Sequence, residues 1–322
     1  MFSGTCQKIE RIMRELCIAG RGSRLAMAQN ELVKRLLEEK GYKVNILTVS
    51  THGDRDRKSS VTELGGNGPF VRDVEKALLS GEADIAVHCV KDLPYEMADG
   101  LCIAGMPAAA DPRDCLILRK KVKTMEECPM VIGTGSPLAS GTSCPLVIGT
   151  GSPRRMSQLA ALSGKLGMEV QFKDIRGNIT TRLEKLRRGE YDGIVLAKAG
   201  LDRIGADLGE FEVRVLEPEE MIPAVGQGLL ACECRESDTE MRELLDRITP
   251  PENYIRYAIE REIFCRFRCD CRSAVGIHVK LRDSGAGIGN KSAEIGNKSA
   301  GTGADEAEFK GCSAELLVMY EE

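Results

Sequence analysis

The chain predicts an α/β fold spread over two or three domains, and three observations carry that prediction. Short apolar runs alternate with stretches of helical period, the pattern of βαβ units around a mainly parallel sheet. At 322 residues the chain exceeds what one hydrophobic core usually organises. Glycine-rich or charged turns follow the apolar runs, at the strand ends where such folds place their sites.

Residues 1–14 read as an amphipathic extension without an assignment. Residues 16–20 form a first strand that ends in Arg21-Gly22-Ser23. Ala/Leu spacing makes 26–40 a helix closed by Gly41, and 44–50 is a second strand. The segment Gly65-Gly66-Asn67-Gly68-Pro69 leads into a helix over 71–80. A third strand, 83–87, runs into His88-Cys89-Val90-Lys91-Asp92-Leu93-Pro94. The scheme then repeats, with strands over 116–119, 146–148, 169–172 and 194–197. Helices fill 154–162 and the stretch from Asn178, its cap, to Arg188.

The turn Gly149-Thr150-Gly151-Ser152-Pro153-Arg154-Arg155 joins a strand to a helix N-terminus, where unpaired N–H groups favour anions. Two adjacent guanidinium forks suit carboxylate or phosphate. Arg21, Lys91, Asp92, Arg154 and Arg155 all fall just beyond strand ends, and that convergence points to one polyanion site.

Composition narrows the classes. A net charge of −4 and 4% aromatic residues without Trp argue against a nucleic-acid partner. No apolar run approaches a membrane span, and the first twenty residues lack a signal peptide's apolar centre, so a cytoplasmic protein without a membrane partner is expected. Thirteen scattered cysteines fit reduced thiols better than a disulfide framework. The spacing of Cys265, Cys269 and Cys271 does not reproduce a paired zinc site, so no metal is expected. Val-Ile-Gly-Thr-Gly-Ser-Pro occurs at 131–137 and 147–153, and Ile-Gly-Asn-Lys-Ser-Ala at 288–293 and 295–300. The second pair lies in a Gly/Ser/Ala/Asn-rich stretch, 284–304, too polar to order itself by burial.

Seven motifs in order over roughly residues 16–279 resemble the porphobilinogen deaminase (hydroxymethylbilane synthase) family. They are Arg21-Gly22-Ser23-Arg24-Leu25-Ala26, the His88–Pro94 run and Gly149-Thr150-Gly151-Ser152-Pro153-Arg154-Arg155. Arg176-Gly177-Asn178-Ile179-Thr180-Thr181-Arg182-Leu183 and Leu196-Ala197-Lys198-Ala199-Gly200-Leu201 follow. Pro223-Ala224-Val225-Gly226-Gln227-Gly228 and Cys271-Arg272-Ser273-Ala274-Val275-Gly276 complete the series.

The resemblance implies a transferase that joins four porphobilinogen units, with loss of ammonia, into the linear tetrapyrrole hydroxymethylbilane. A dipyrromethane cofactor, held covalently through a thioether on Cys271, primes the chain; Cys269 is the nearest rival thiol. Asp92 matches the family's catalytic aspartate, and a carboxylate there would stabilise a cationic intermediate and shuttle protons. Every pyrrole unit carries an acetate and a propionate. The expected carboxylate ligands are Arg21, Ser23, Lys91, Ser152, Arg154, Arg155, Arg176 and Arg182, with His88, Phe70 and Gln227 in support. Arg187 and Arg188 read as solvated surface charges.

Architecture is also implied. Domain 1 (1–110 and 222–244) and domain 2 (111–221) would resemble the lobes of a type II periplasmic binding protein, with the site between them. Domain 3 (245–322) would be a small α+β unit carrying Cys271, shorter than in the family. A monomer is expected. Two departures stand out: Glu63 and Asn67 replace lysines frequent in the family's glycine loop. The first Val-Ile-Gly-Thr-Gly-Ser-Pro copy continues into Leu138-Ala139 instead of two arginines, so 131–146 reads as an inserted surface loop. Two other readings compete with the enzyme, a degenerate member that turns over poorly and a non-catalytic two-lobed binder of a small polycarboxylate. A binder needs neither Asp92 nor Cys271.

Overall fold

The computed structural model describes residues 15–50, 68–94, 97–120, 145–165, 169–266, 274–282, 304–309 and 312–320. Cys269, Cys271, Glu63, Asn67, the repeat over 284–303 and the first copy of the duplicated turn lie outside the described residues. So do side chains in the first turn of the helix that contains Phe70.

Two five-stranded sheets form two lobes on one plan. In the first lobe, β1 (Glu15–Arg21), β2 (Lys43–Val49), β3 (Ile85–Cys89), β4 (Leu101–Gly105) and β10 (Leu230–Arg235) lie in the order β2-β1-β3-β10-β4. In the second, β5 (Asp114–Arg119), β6 (Leu146–Gly149), β7 (Val170–Lys173), β8 (Gly193–Ala197) and β9 (Phe211–Leu216) lie in the order β7-β6-β8-β5-β9. The three strands at one side of each sheet run parallel. The fourth opposes both its neighbours. That opposed strand is in each case the first one after the chain crosses from the other lobe. The sheets are therefore mixed, and the expectation of a mainly parallel sheet misses β5 and β10. Their orientation is set by distant pairing, β5 with β8 and β9 and β10 with β3 and β4 from before the first crossover, which local periodicity does not register.

Helices cover the sheets: α1 (Arg24–Glu38) and α2 (Gly68–Leu79) in the first lobe, α3 (Pro153–Lys165), α4 (Ile179–Arg187) and α5 (Lys198–Arg203) in the second. Burial follows the pattern. Leu16, Ile18, Val33, Leu37, Ile85, Leu230 and Leu245 share one core. Ile117, Leu186, Tyr191, Ile194 and Phe211 share another. Helices α6 (Thr239–Arg247) and α7 (Pro251–Arg266) follow β10, and α6 packs on β4 and β10. Beyond α7, the antiparallel sheet β11-β13-β12 comprises β11 (Val275–Arg282), β12 (Ala304–Phe309) and β13 (Cys312–Tyr320).

Of the expected loop over 131–146, Leu146 instead opens β6, its N–H donating to Glu169 O at 2.9 Å. Among the described residues, the described cysteines are free and no helix is long and apolar enough to cross a membrane.

Two crossovers, residues 106–113 and 217–229, connect the lobes and bond to each other. Ala110 N–H donates to Gly228 O at 3.1 Å and Leu230 N–H to Ala108 O at 3.0 Å. Arg113 bridges Asp111 on its own crossover and Glu217 on the other. Gly228 has φ +93°, and a Cβ there would lie 2.3 Å from Ala110 O, so only glycine lets the two crossovers close up.

Candidate functional site

On the first lobe, the chain leaves β1 at Arg21, and Ser23 caps α1 by accepting the Ala26 N–H at 3.2 Å. Ser23 fills the position where helix donors would otherwise lack acceptors, and its own O–H stays available to donate. At the end of β3 a single 3-10 turn, Val90–Asp92, buries Val90 and leaves Asp92 exposed. The turn is pinned from behind. Val90 N–H donates to Leu229 O at 3.2 Å, and Gly226, at φ +67°, packs so closely that a Cβ would reach 2.1 Å from Val90. Lys91 Nζ donates to Gln227 Oε1 at 3.4 Å. Burial lowers the Lys91 ammonium pKa and Asp92 opposes that effect, Arg155 lowering it further; the net direction is down.

His88 is engaged elsewhere. Its Nε2 lies 3.0 Å from Oε2 of the fully buried Glu233 on β10, inside the first lobe. Beside it, Gln29 Nε2 donates to Cys89 Sγ at 2.9 Å, and burial, then Asp92, push the Cys89 thiol up to about 11. Cys89 is therefore a poor nucleophile near neutral pH.

On the second lobe, Ser152 stands at the end of the turn after β6, its N–H donating to Thr150 Oγ1 and its carbonyl accepting from Met156. Pro153 begins α3, where its missing N–H has no cost. Arg154 and Arg155 follow, and both are buried, at 4% and 8% exposure. A carboxylate invisible to sequence reasoning explains how two adjacent guanidinium groups tolerate this. Asp114, the fully buried first residue of β5, accepts Arg154 Nη2 on Oδ2 and Arg155 Nη2 on Oδ1, each at 2.7 Å. Burial opposes ionisation of Asp114, but Arg155, Arg154 and Lys91 outweigh it and hold its pKa well below the usual carboxylate range. Arg154 Nη1 donates to Ile222 O at 2.6 Å and Arg155 Nη1 to Val195 O at 3.0 Å. Two backbone contacts tie Gln158 to Ile222 as well.

The loop after β7 brings the remaining arginines. Arg176 is exposed and pairs with Asp174 at 2.8 Å, while Asn178 caps α4 by accepting Thr181 N–H at 2.8 Å. Arg182 Nε donates to Gly177 O at 2.7 Å. Burial and then the charges of Arg155 and Arg176 lower the Arg182 pKa, with Asp174 and Asp92 pulling the other way. Arg182 thus feels the charges of Arg155, Arg176 and Asp92, although Asp92 belongs to the other lobe. Lys91 joins them through Arg155. Arg187 and Arg188 remain apart, exposed and paired with Glu184 and Glu210.

One arginine escapes the sequence reading. Arg203, at the end of α5, donates through Nη2 to Gly228 O, while its Nε is buried without an acceptor. The nearest sequence motif ends at Leu201, and the carbonyl that holds Arg203 lies 25 residues on. Arg155 Nε is likewise buried without a partner. An orphaned donor on Arg155, whose charge acts on Lys91 and Arg182, is what an incoming carboxylate would satisfy, so the donor set fits a dipyrromethane bearing acetate and propionate groups. Among the described residues, no group of His, Cys, Asp and Glu side chains could hold a metal ion.

From the helix packed on the third sheet, Glu260 of α7 reaches this place from behind. Its fully buried carboxylate accepts Gly226 N–H at 2.6 Å, Arg256 Nε at 2.7 Å and Val279 N–H at 3.1 Å. Burial opposes its charge, but Arg256, His278 and the Gly226 N–H prevail and its pKa is lowered. Arg256 Nη2 donates to Gln227 O at 2.9 Å.

Comparison with known proteins agrees with this geometry. The model of the family described as porphobilinogen deaminase, dipyromethane cofactor binding domain, matches residues 16–243. A porphobilinogen deaminase of Streptococcus sanguinis is 37% identical over 280 residues, covering 85% of this chain and 84% of that one. One from Limosilactobacillus reuteri is 38% identical over 273 residues, covering 84% and 83%. The Bacillus subtilis protein of that name is 41% identical over 241 residues, covering 74% and 70%.

Proposed function

We propose, since this chain belongs to the porphobilinogen deaminase family, that the groups gathered around Asp92 polymerise porphobilinogen into hydroxymethylbilane on a dipyrromethane primer. The single observation carrying the reading is the meeting of one exposed carboxylate, Asp92, with the cations Lys91, Arg155 and Arg182.

The bound cofactor supplies a tethered terminal pyrrole as nucleophile. The chain's own residues do the rest. Arg155, Arg176 and Arg182, with Arg21 from the first lobe, hold the acetates and propionates of the growing chain. Ser152 and the capping hydroxyl of Ser23 add donors. Arg203, with its orphaned Nε, joins this set. Lys91 holds a carboxylate of the substrate beside Asp92. Porphobilinogen loses ammonia from its aminomethyl carbon, and Asp92 stabilises the cation left on the substrate. After the new carbon–carbon bond forms, Asp92 accepts the proton that the attacking ring sheds. Arg154, both of whose Nη groups are bound inside the protein, supports this reading as a brace for its neighbour. Gln227 carries Lys91, and His88 serves the packing of the first lobe.

The same reading places the cofactor thioether on Cys271 and divides the chain at 1–110 with 222–244, 111–221 and 245–322. The return of β10 to the first sheet supports that division. Free cysteines among the described residues suit a reducing, cytoplasmic setting.

Intact-protein mass spectrometry tests the proposal. The purified chain carries a dipyrromethane adduct, or gains one with porphobilinogen, and peptide mapping finds it on Cys271; Cys271→Ser loses it. A wild-type chain that takes up nothing would defeat the enzyme reading, and an adduct retained in Cys271→Ser would move the attachment to Cys269.

A further inference from the structure

We infer that Asp114 is a positioning residue for the condensation, fixing Arg154 and Arg155 in the second lobe and, through Gln227, the ammonium of Lys91 beside Asp92 in the first. The inference rests on the proposed roles of Asp92, Lys91 and Arg155. It adds a residue that touches neither substrate nor cofactor and acts through those that do.

Asp114 sits where the first crossover becomes β5, fully buried, and both its oxygens are in use. Oδ2 accepts Arg154 Nη2 at 2.7 Å; Oδ1 accepts Arg155 Nη2 at 2.7 Å and Gln227 Nε2 at 3.2 Å. The Gln227 amide also donates to Pro112 O and accepts Lys91 Nζ at 3.4 Å. From the third unit, Arg256 and Glu260 hold the backbone of the same Gly226-Gln227 turn. One carboxylate at the end of the first crossover is thus bonded to side chains of α3 and of the second crossover, and the turn it grips is bonded to a third unit.

The pair of arginines is made unequal by this arrangement. Arg154 gives one Nη to Asp114 and the other to Ile222 O. Arg155 gives its two Nη groups to Asp114 and Val195 O but keeps a buried Nε without an acceptor. Asp114 therefore sets the angle at which Arg155 presents its remaining donor. It also supplies one negative charge against three neighbouring cations, leaving a surplus for the substrate's carboxylates. Around Lys91 the charged and titratable groups are Asp92 and Cys89 from its own segment, Arg155 from α3 and Asp114 from β5. With Asp114 neutralised, Arg155 acts on Lys91 less opposed, and Lys91 gives up its proton at a lower pH.

The test uses Asp114→Asn holoenzyme whose cofactor content is verified by intact mass. The KM for porphobilinogen is expected to rise at least about tenfold, because Arg155 is no longer held. The alkaline limb of kcat/KM is expected to move down by about one pH unit. A purely structural Asp114 would lower the melting temperature and leave KM and the limb where they were. A folded variant with KM within about twofold of wild type and an unmoved limb overturns the inference. Should Asp114→Asn yield no folded holoenzyme, Gln227→Met decides, since it keeps the arginine pairs and cuts the arm to Lys91 together with the Pro112 contact. A lowered limb with raised KM supports the inference, and an unmoved profile refutes it. Failure of the enzyme reading is distinct, for then wild type itself makes no tetrapyrrole.

Discussion

In the first lobe the chain leaves β1 through Arg21-Gly22-Ser23 into α1, and in the second it leaves β6 through Thr150-Gly151-Ser152 into α3. The sheets around these turns have the same order and the same opposed fourth strand. The turns are used differently. On the first lobe the strand ends carry an exposed carboxylate, Asp92, on a one-turn helix held from behind by the Gly226 turn. On the second lobe α3 begins with two buried arginines locked on Asp114, and Arg176 and Arg182 follow on the next loop and helix. One plan thus gives a lobe that presents a proton-handling group and a lobe that presents fixed cations. Burial decides the difference: an exposed Asp92 is free to act on a substrate, whereas the arginines need Asp114 to be buried at all.

This comparison breaks first at Asp92. Asp92→Asn should still form the cofactor adduct yet lose about 10²- to 10⁴-fold in tetrapyrrole formation, measured as kcat. Normal turnover would remove Asp92 from its role. The next largest effect is on the other lobe. Arg154→Met leaves the Asp114 carboxylate half-paired in the interior, at a cost of about 3–5 kcal/mol seen as a lower denaturant midpoint. A change below about 1 kcal/mol would mean that the pair is not buried in solution.

A third prediction concerns the brace from the third unit. The folded pKa of Glu260 is lowered, so its stabilisation is complete above its unfolded value near 4.3 and is lost as pH falls through the folded one. Unfolding free energy should therefore drop below about pH 5, with a shallower drop in Glu260→Gln. Equal slopes would show that Glu260 is not paired. The smallest effect is at the first-lobe cap: Ser23→Ala should cost about 1 kcal/mol of stability, and a thermal melt unchanged by the substitution would contradict the Ser23–Ala26 bond. Removing residues 131–146, which leaves Met130 to take the place of Leu146 in β6, should leave adduct formation intact.

Much of this was readable in the residues. Period and capping gave β1, α1, β3, β6 and α4 to within a few residues, because their apolar faces and caps are local signals. The charged strand ends were readable because several motifs converge on them. Asp114 was not, since an aspartate opening Asp-Cys-Leu-Ile-Leu looks like the polar edge of a strand, and its partners lie 40 and 41 residues on. His88 belongs to a functional motif, where it reads as a core histidine or a supporting residue, and it faces Glu233, a partner 145 residues away. Pairings of that range are set by the sheet order, which depends on where each crossover returns.

The division of labour between lobes is tested most directly by steady-state kinetics of Asp92→Asn and Arg182→Met holoenzymes side by side. Asp92→Asn should lower kcat with KM within a few-fold of wild type, and Arg182→Met should raise KM by about tenfold or more with a smaller change in kcat. The opposite split, with Asp92→Asn acting on KM and Arg182→Met on kcat alone, would contradict the account.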